Sequence, residues 1–414
     1  MVQDMMETEY FSTASKGEAS EFASHLAERA VVFLTPLAID AETDHRDKRP
    51  KWEEGPWCSD GVVAKLYYEQ YPDSSLHLLL NDIVSVTGVL EEVDDSPMEM
   101  VDGPMIAPPH IWRLHVTHFR KLTLETLPVS FTPQSYETVP LQLSQALGVP
   151  LTVAWPIALT LLSKAERDST THAPIAKPDG STLGCSSLQL VCPDVAACEA
   201  LFASLTRVLS TLVPVLVSWD LTRDLLDELP VPSREEGRLL PTPLQLPRGA
   251  TVLLNTCHLS NGPLSEPHVQ TLQALQELVQ NHRVPYQFEG GTRLPFEADV
   301  SVIVVGTLST RSLLQATWNV EATPSATTTP STLTRDSWYT ARRGVDNIRL
   351  APAILQCAEQ HFVQERARDP QTSEADIHRW LTVTRLVARS RASTHAEVSD
   401  WERALKILAG QPVE

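Results

Sequence analysis

An α/β protein that opens in β-structure and closes in helices is what the sequence predicts, and three observations predict it. Apolar residues alternate between residues 61 and 117, strand-like runs alternate with helical repeats between 140 and 320, and the spacing beyond a Thr/Ser/Pro-rich stretch is helical to the end. At 414 residues the chain exceeds one ordinary core, so two or three packed units are expected.

The β-region rests on Val62, Ala64, Leu66 and Tyr68, then on the β-branched run Ile83 to Leu90 with Gly88 inside it, then on Ile111 to Thr117. Short strands at this spacing predict a small antiparallel barrel or sandwich, of OB type. From Leu141 the pattern changes. Leu141 to Lys164 reads as helical in its second half, with Pro156 placed in a first turn or at a kink. Ser187 to Cys192 suits a buried strand, and Leu201, Leu205, Val208, Leu209 and Leu212 line one face of a helix. Val215 to Trp219, Thr251 to Leu254, Val284 to Phe288 and Val300 to Val305 are further strand candidates. Val269, Leu272, Leu275, Leu278 and Val279 mark another amphipathic helix between two of them. Alternation of this kind predicts a sheet covered by helices.

Pro230 to Gly249, with five prolines, and Glu321 to Arg335 read as loops, the second as a linker. Three helices follow: Ala351 to Arg368, Ser373 to Arg391 and Val398 to Leu408. Thr372 or Ser373 caps the second, with Asp376 in its first turn. The expected division is an acidic β-domain over 1–130, an α/β domain over 140–320, a linker over 321–345 and a helical domain over 346–414.

Composition narrows the function classes. An apolar share of 42 % with 21 % charged residues suits a folded soluble protein. Ala30 to Ile39 and Leu151 to Leu162 fall short of the roughly 20 residues that cross a bilayer, so no membrane association is expected. Met1 to Glu9 carries three acids and no basic start, so no secretory signal is expected. Cys58, Cys185, Cys192, Cys198, Cys257 and Cys357 are thinly spread and lack a Cys-x-x-Cys pair. They are read as free thiols in a reducing compartment, not as a disulfide framework or a zinc site. Of the net charge of −19, most sits in residues 1–110, where 22 Asp or Glu face seven Lys or Arg. Such a balance repels phosphate backbones, so no direct nucleic-acid binding is expected. Trp52, Trp57, Tyr67, Tyr68 and Tyr71 would suit stacking on bases in an OB-type single-strand binder, the alternative reading. Glu53, Glu54, Asp60, Glu69 and Asp73 lie among them. Arg46, Lys48, Arg49 and Lys51 form a short basic cluster of the nuclear-import kind.

Catalytic constellations are missing. A phosphate-binding loop needs glycine-opened amides, a lysine and a hydroxyl, and none of the eight lysines follows a glycine. Gly148 stands ahead of a helix, where such a loop would lie, but Val149, Pro150, Leu151 and Thr152 follow it. Asn255 and Thr256 occupy the strand end where paired acids would hold magnesium. His258, His268 and His282 lack metal spacing, Ser260 lacks a nucleophile elbow, and Asp94 and Asp95 among Glu91, Glu92 and Glu99 read as a solvated run. No catalytic, cofactor-binding or metal residue is therefore assigned, no cofactor is expected, and the chain is read as a non-enzyme.

Several segments resemble the minichromosome maintenance complex-binding protein family. They are Met1 to Met5 with Glu9, Tyr10 and Phe11; Lys65 to Tyr68; Leu80 to Ile83 leading to Gly88, Val89 and Leu90; and Ile111 to His115. The most specific runs from Leu244-Gln245-Leu246-Pro247 into Thr251 to Asn255, then Gly262, Leu264, Val284, Tyr286 and Phe288. Ser309 to Leu314, Phe362-Val363, Arg368 to Gln371, Asp376 to His378, Trp401 and Arg403 complete it. Two departures are a short insert after the opening phrase and a longer proline-rich stretch at Pro230 to Gly249. The resemblance implies a nuclear protein that binds subunits of the minichromosome maintenance helicase. It further implies a role in assembling, protecting or unloading that helicase from chromatin during replication, and in sister-chromatid cohesion; partner-binding residues stay unassigned. With the empty phosphate site, the middle region reads as a degenerate AAA+-like module with a helical lid, a helicase-subunit mimic without turnover.

Overall fold

The computed structural model describes residues 1–6, 9–12, 26–35, 61–67, 78–91, 113–124, 135–168, 174–175, 177, 181–235, 238–240, 242–259, 263–322, 333, 335–343 and 347–411. It is a mixed α/β protein with several sheets and, among the described residues, nine α-helices. The chain forms two compact units. One comprises 1–123, 232–248 and 286–294, and the other comprises 124–231, 249–285 and 295–414.

The first unit holds β1 (Val2–Met5), β2 (Glu9–Ser12), β3 (Leu26–Leu34), β4 (Val62–Tyr67), β5 (Ile83–Glu91) and β6 (Arg113–Leu122). They form one sheet in the order β1-β3-β4-β6-β5, with β2 also on β3. The pairings are antiparallel except β4 with β6, which is parallel. Val2, Val32, Leu34, Ala64, Leu66 and Val116 face one core, as the alternation in β4 predicts. Val2 N donates to Asp82 O and Asn81 N to Val2 O, both at 2.8 Å, which ties β1 to the entry of β5. The proline-rich stretch is more than loop. Arg234–Glu235 and Arg238–Leu239 pair, Gln3 Nε2 donates to Leu239 O at 2.7 Å, and Leu239 N donates to Asp4 Oδ2 at 2.9 Å.

The second unit is built on β7 (Ser187–Cys192), β8 (Leu216–Asp220), β9 (Thr251–Asn255), β10 (Ser301–Thr307) and β11 (Trp318–Glu321), all parallel, in the order β11-β7-β10-β9-β8. Every residue of β7, β9 and β10 is buried, which is why these runs are mostly apolar on both faces instead of alternating, with Gln189 and Asn255 among the buried polar exceptions. The helices are α1 (Val139–Leu147), α2 (Leu151–Thr160), α3 (Val195–Leu212), α4 (Arg223–Glu228), α5 (Glu266–Asn281), α6 (Arg335–Arg343), α7 (Pro352–Arg368), α8 (Glu374–Ser390) and α9 (Val398–Leu408). Of the described helices, α3 has the length and apolar content to cross a bilayer, but Leu201, Leu205, Leu209 and Leu212 are buried and it packs on the sheet. Ser373 and Asp376 form a reciprocal capping box that starts α8. Trp380 and Trp401 meet edge to face at 6.5 Å in the core of the last three helices.

Of the two placements expected for Pro156, the first turn is excluded: it lies inside α2, where the bond its missing N–H would have made is absent. Two further expectations change. The segment Arg283–Gln287 pairs with Arg293–Glu297 outside the parallel sheet. The fifth parallel strand, β11, comes from Trp318–Glu321, a segment too short to show a period. The Glu321 to Arg335 linker falls largely outside the described residues.

Candidate functional site

Ligands of open parallel sheets bind beyond the carboxyl ends of the strands, so the groups that β7, β8, β9 and β10 present there define the candidate site. β7 ends at Cys192, and after Pro193 and Asp194 the chain is already helical. The crossing holds no glycine and no lysine. The Asp194 carboxylate accepts from Ala197 N at 2.8 Å, so the amino end of α3 is filled by the chain's own negative charge. A phosphate would have to displace that cap against its charge.

Gly148 is not the place where a phosphate loop of this sheet would lie. Gly148 does not follow a strand; it closes α1 in the left-handed region, φ +62°, its amide directed to Ser144 O, and Pro150 then caps α2. Its glycine serves the helix end. The β7 to α3 crossing is the strand-to-helix turn of this sheet.

β9 ends at Asn255, which is buried. Its Nδ2 donates to Asp220 Oδ1 at 2.9 Å and its Oδ1 accepts from Cys257 N at 3.2 Å. Asp220, ending β8, also meets His258 Nδ1 at 2.9 Å, and His258 Nε2 lies 2.8 Å from Glu199 Oε1 on α3. Both ring nitrogens therefore face carboxylates, and both can donate only as imidazolium. The hydrogen bond to Asp220, then that to Glu199, raises the His258 pKa above its ordinary value. His258 thus acts as a clasp between β8, α3 and the turn after β9.

The thiols of Cys198 and Cys257 are not activated, whereas the hydrogen bond from Cys198 lowers the pKa of buried Cys192. The Cys198 thiol is pushed up by its hydrogen bond with Cys192 and by burial, and burial pushes up Cys257. A nucleophilic cysteine needs the opposite shift. The described cysteines Cys185, Cys192, Cys198, Cys257 and Cys357 are free, and among the described residues no cluster of His, Cys, Asp or Glu has metal-binding geometry. After β10, Thr307 N donates to Thr310 Oγ1 at 3.0 Å and Thr256 Oγ1 donates to the same atom at 3.1 Å; Arg311 in that turn is exposed.

The other residues singled out in the sequence are dispersed. His268 Nε2 pairs with Asp227 at 2.7 Å, and His282 is buried with Nδ1 3.2 Å from Val300 O. Glu91 pairs with His115 at 2.9 Å. Ser260, Trp52, Trp57, Cys58, Tyr68, Tyr71, Asp94, Asp95 and the Arg46 to Lys51 cluster lie outside the described residues. Sequence reasoning missed Asp220 and Glu199. The register that aligns Asn255 with Asp220 brings Asp220 to His258, and the packing of α3 on the sheet brings Glu199.

A family model described as mini-chromosome maintenance replisome factor matches residues 60–409. Curated proteins named mini-chromosome maintenance complex-binding protein are similar to the chain. The Arabidopsis thaliana protein is 23 % identical over 83 % of this chain and 61 % of its own length. The Rattus norvegicus and Homo sapiens proteins are each 26 % identical over 49 % of this chain and 34 % of their own length. The chain thus spans about a third of the mammalian proteins it matches and under two thirds of the plant one.

Proposed function

Because the chain belongs to the mini-chromosome maintenance replisome factor family, we propose that it binds the mini-chromosome maintenance complex as a non-enzymatic partner. The relatives' name, complex-binding protein, supports the partner. The proposed role is nuclear: control of the helicase's assembly, stability or unloading during replication, with support of sister-chromatid cohesion.

One observation carries the non-enzymatic part. The parallel order β11-β7-β10-β9-β8 places the first strand of the sheet between its fifth and fourth, an arrangement also built by AAA+ ATPase modules. Yet the turn after that first strand is Pro193-Asp194, and Asn255 ends the third. Hydrolysis of a nucleoside triphosphate needs amides, a lysine and magnesium-holding acids at these two points. We therefore read this unit as a degenerate AAA+-like module, with α7, α8 and α9 in the place of a lid, able to present a helicase-like surface without turnover. The tie between β1 and the entry of β5 supports an OB-like reading of the β unit.

The test joins co-precipitation of tagged full chain with mini-chromosome maintenance subunits to calorimetry with magnesium ATP. Retention of at least one subunit and no heat of nucleotide binding is the expected result. Micromolar ATP affinity with measurable hydrolysis would overturn the non-enzymatic reading, and failure to retain any subunit would overturn the partner.

A further inference from the structure

The acidity of residues 1–110 is unevenly placed. Within the six strands of the β unit the acids are Asp4, Glu9, Glu28 and Glu91, against Arg29, Lys65, Arg113, Arg120 and Lys121, with His115 and His118 beside them. Four of these basic groups share one face of β6. The register pairs Glu91 with Arg113, Val89 with His115, Thr87 with His118 and Ser85 with Arg120, and Ser85, Thr87, Val89 and Glu91 are the exposed positions of β5.

A bulge makes the row continuous. Strict alternation would put His118 and Arg120 on the core side, but the register shifts between Thr87 and Gly88, leaving Thr117 unpaired. Val116 and Phe119 then both face the core, and His118 and Arg120 rejoin Arg113 and His115 outside. Gly88 permits this, since a Cβ there would lie 2.1 Å from the His115 carbonyl oxygen. Alternate residues on a strand stand about 6.8 Å apart, so Arg113 with His115 and His118 with Arg120 form two evenly spaced pairs, with the bulge between them.

The acids on this face are already engaged. Glu9 binds Arg29 at 2.5 Å and Lys65 at 3.0 Å, and Glu91 binds His115 at 2.9 Å. Among the described residues no hydrogen bond or ion pair is made by the side chains of Arg113, His118 or Arg120. Tyr67 stacks on His115 with centroids 6.1 Å apart and planes at 22°, giving the row an aromatic neighbour. The hydroxyls of Ser85, Thr87 and Thr117 are exposed beside it, and Val89 is 64 % exposed.

We propose that this face of the β unit binds the phosphate backbone of a single-stranded nucleic acid, with Arg113 and Arg120 on phosphates and Val89 and Tyr67 beside bases. A line of basic groups holding one acid, Glu91, and flanked by hydroxyls and an aromatic ring suits an extended polyanion with planar bases. Every nucleotide offers a phosphate together with a π-face, whereas an acidic peptide offers carboxylates without a stacking face at each residue. The inference stands apart from helicase binding and reverses the expectation drawn from total charge.

Fluorescence anisotropy of labelled oligothymidylate and oligouridylate with the full chain, across a salt series, tests it. Binding should weaken linearly in log–log form, and the R113Q/R120Q double variant should lower the slope by about 1.4, two phosphates at about 0.7 each. R207Q, on the other unit, should leave the slope unchanged, and thermal melting checks that the variants fold. Preference for either oligomer assigns DNA or RNA within the proposal. Absence of salt-dependent binding, an unchanged slope in R113Q/R120Q, or equal competition by polyglutamate would overturn it.

Discussion

Arg389 on α8 donates from Nη1 to the carbonyl oxygen of Leu162 at 3.0 Å, a contact closed over 227 residues of chain. Arg342 on α6 donates to Leu161 O at 3.2 Å and Ser163 O at 2.8 Å, and Trp338 Nε1 reaches Leu161 O at 3.1 Å. The residues just past α2 leave carbonyls without helical partners and carry the negative end of its dipole, so buried guanidiniums both satisfy and neutralise them. Burial lowers the Arg389 pKa to about 10, which leaves it charged at neutral pH.

The first prediction concerns this fastening. Arg389→Met keeps most of the volume but orphans the Leu162 carbonyl, and should cost about 1–3 kcal/mol. Urea unfolding of the full chain measures it. An unchanged midpoint and slope would mean that α8 is held by apolar packing alone.

The His258 clasp predicts a pH response. Its folded pKa is raised above the ordinary 6.5 by Asp220 first and Glu199 second. A raised folded value means that the contribution is complete below about 6.5 and is lost as pH rises through the folded pKa. Asp220→Asn should return the His258 imidazole resonance toward its ordinary titration, followed by NMR of selectively labelled histidine. A titration unmoved by that substitution would show that the clasp carries no charge.

The sequence was legible where pattern and burial coincide. The Leu201 to Leu212 stripe became the buried face of α3, and Ser373 with Asp376 became a capping box. The apolar runs 187–192, 251–254 and 300–305 became buried parallel strands. What stayed hidden depends on long-range register. The strand order, the meeting of Asp220 with His258, and the outward return of His118 and Arg120 after the bulge have no local signature. Gly148 misled because a glycine before a helix looks the same whether it opens a phosphate loop or closes the preceding helix; only the element before it decides.

His282 predicts acid sensitivity of the opposite sign. Burial lowers its pKa to about 4, below the ordinary 6.5. The unfolded chain takes up a proton first, so stability is full above 6.5 and falls as pH drops toward 4, by up to about 3 kcal/mol at about 1.36 kcal/mol per pH unit. His282 also holds φ +53° at the end of α5, a conformation asparagine tolerates. His282→Asn should therefore fold and flatten the decline in melting temperature between pH 6.5 and 4. An equally steep decline in the variant would assign acid sensitivity elsewhere.

Asp194 separates two reasons for reading the β7 to α3 turn as unsuited to phosphate. Its carboxylate caps α3, so Asp194→Ala should cost about 1 kcal/mol by losing the bond to Ala197 N. The substitution also frees the amino end of the helix, which by itself attracts an anion only weakly without glycine-opened amides and a lysine. Magnesium ATP should give no calorimetric signal with either the parent chain or the variant, while the variant melts at lower temperature. Should the variant bind ATP at micromolar concentration, the cradle would be intact and one carboxylate would be all that keeps phosphate out.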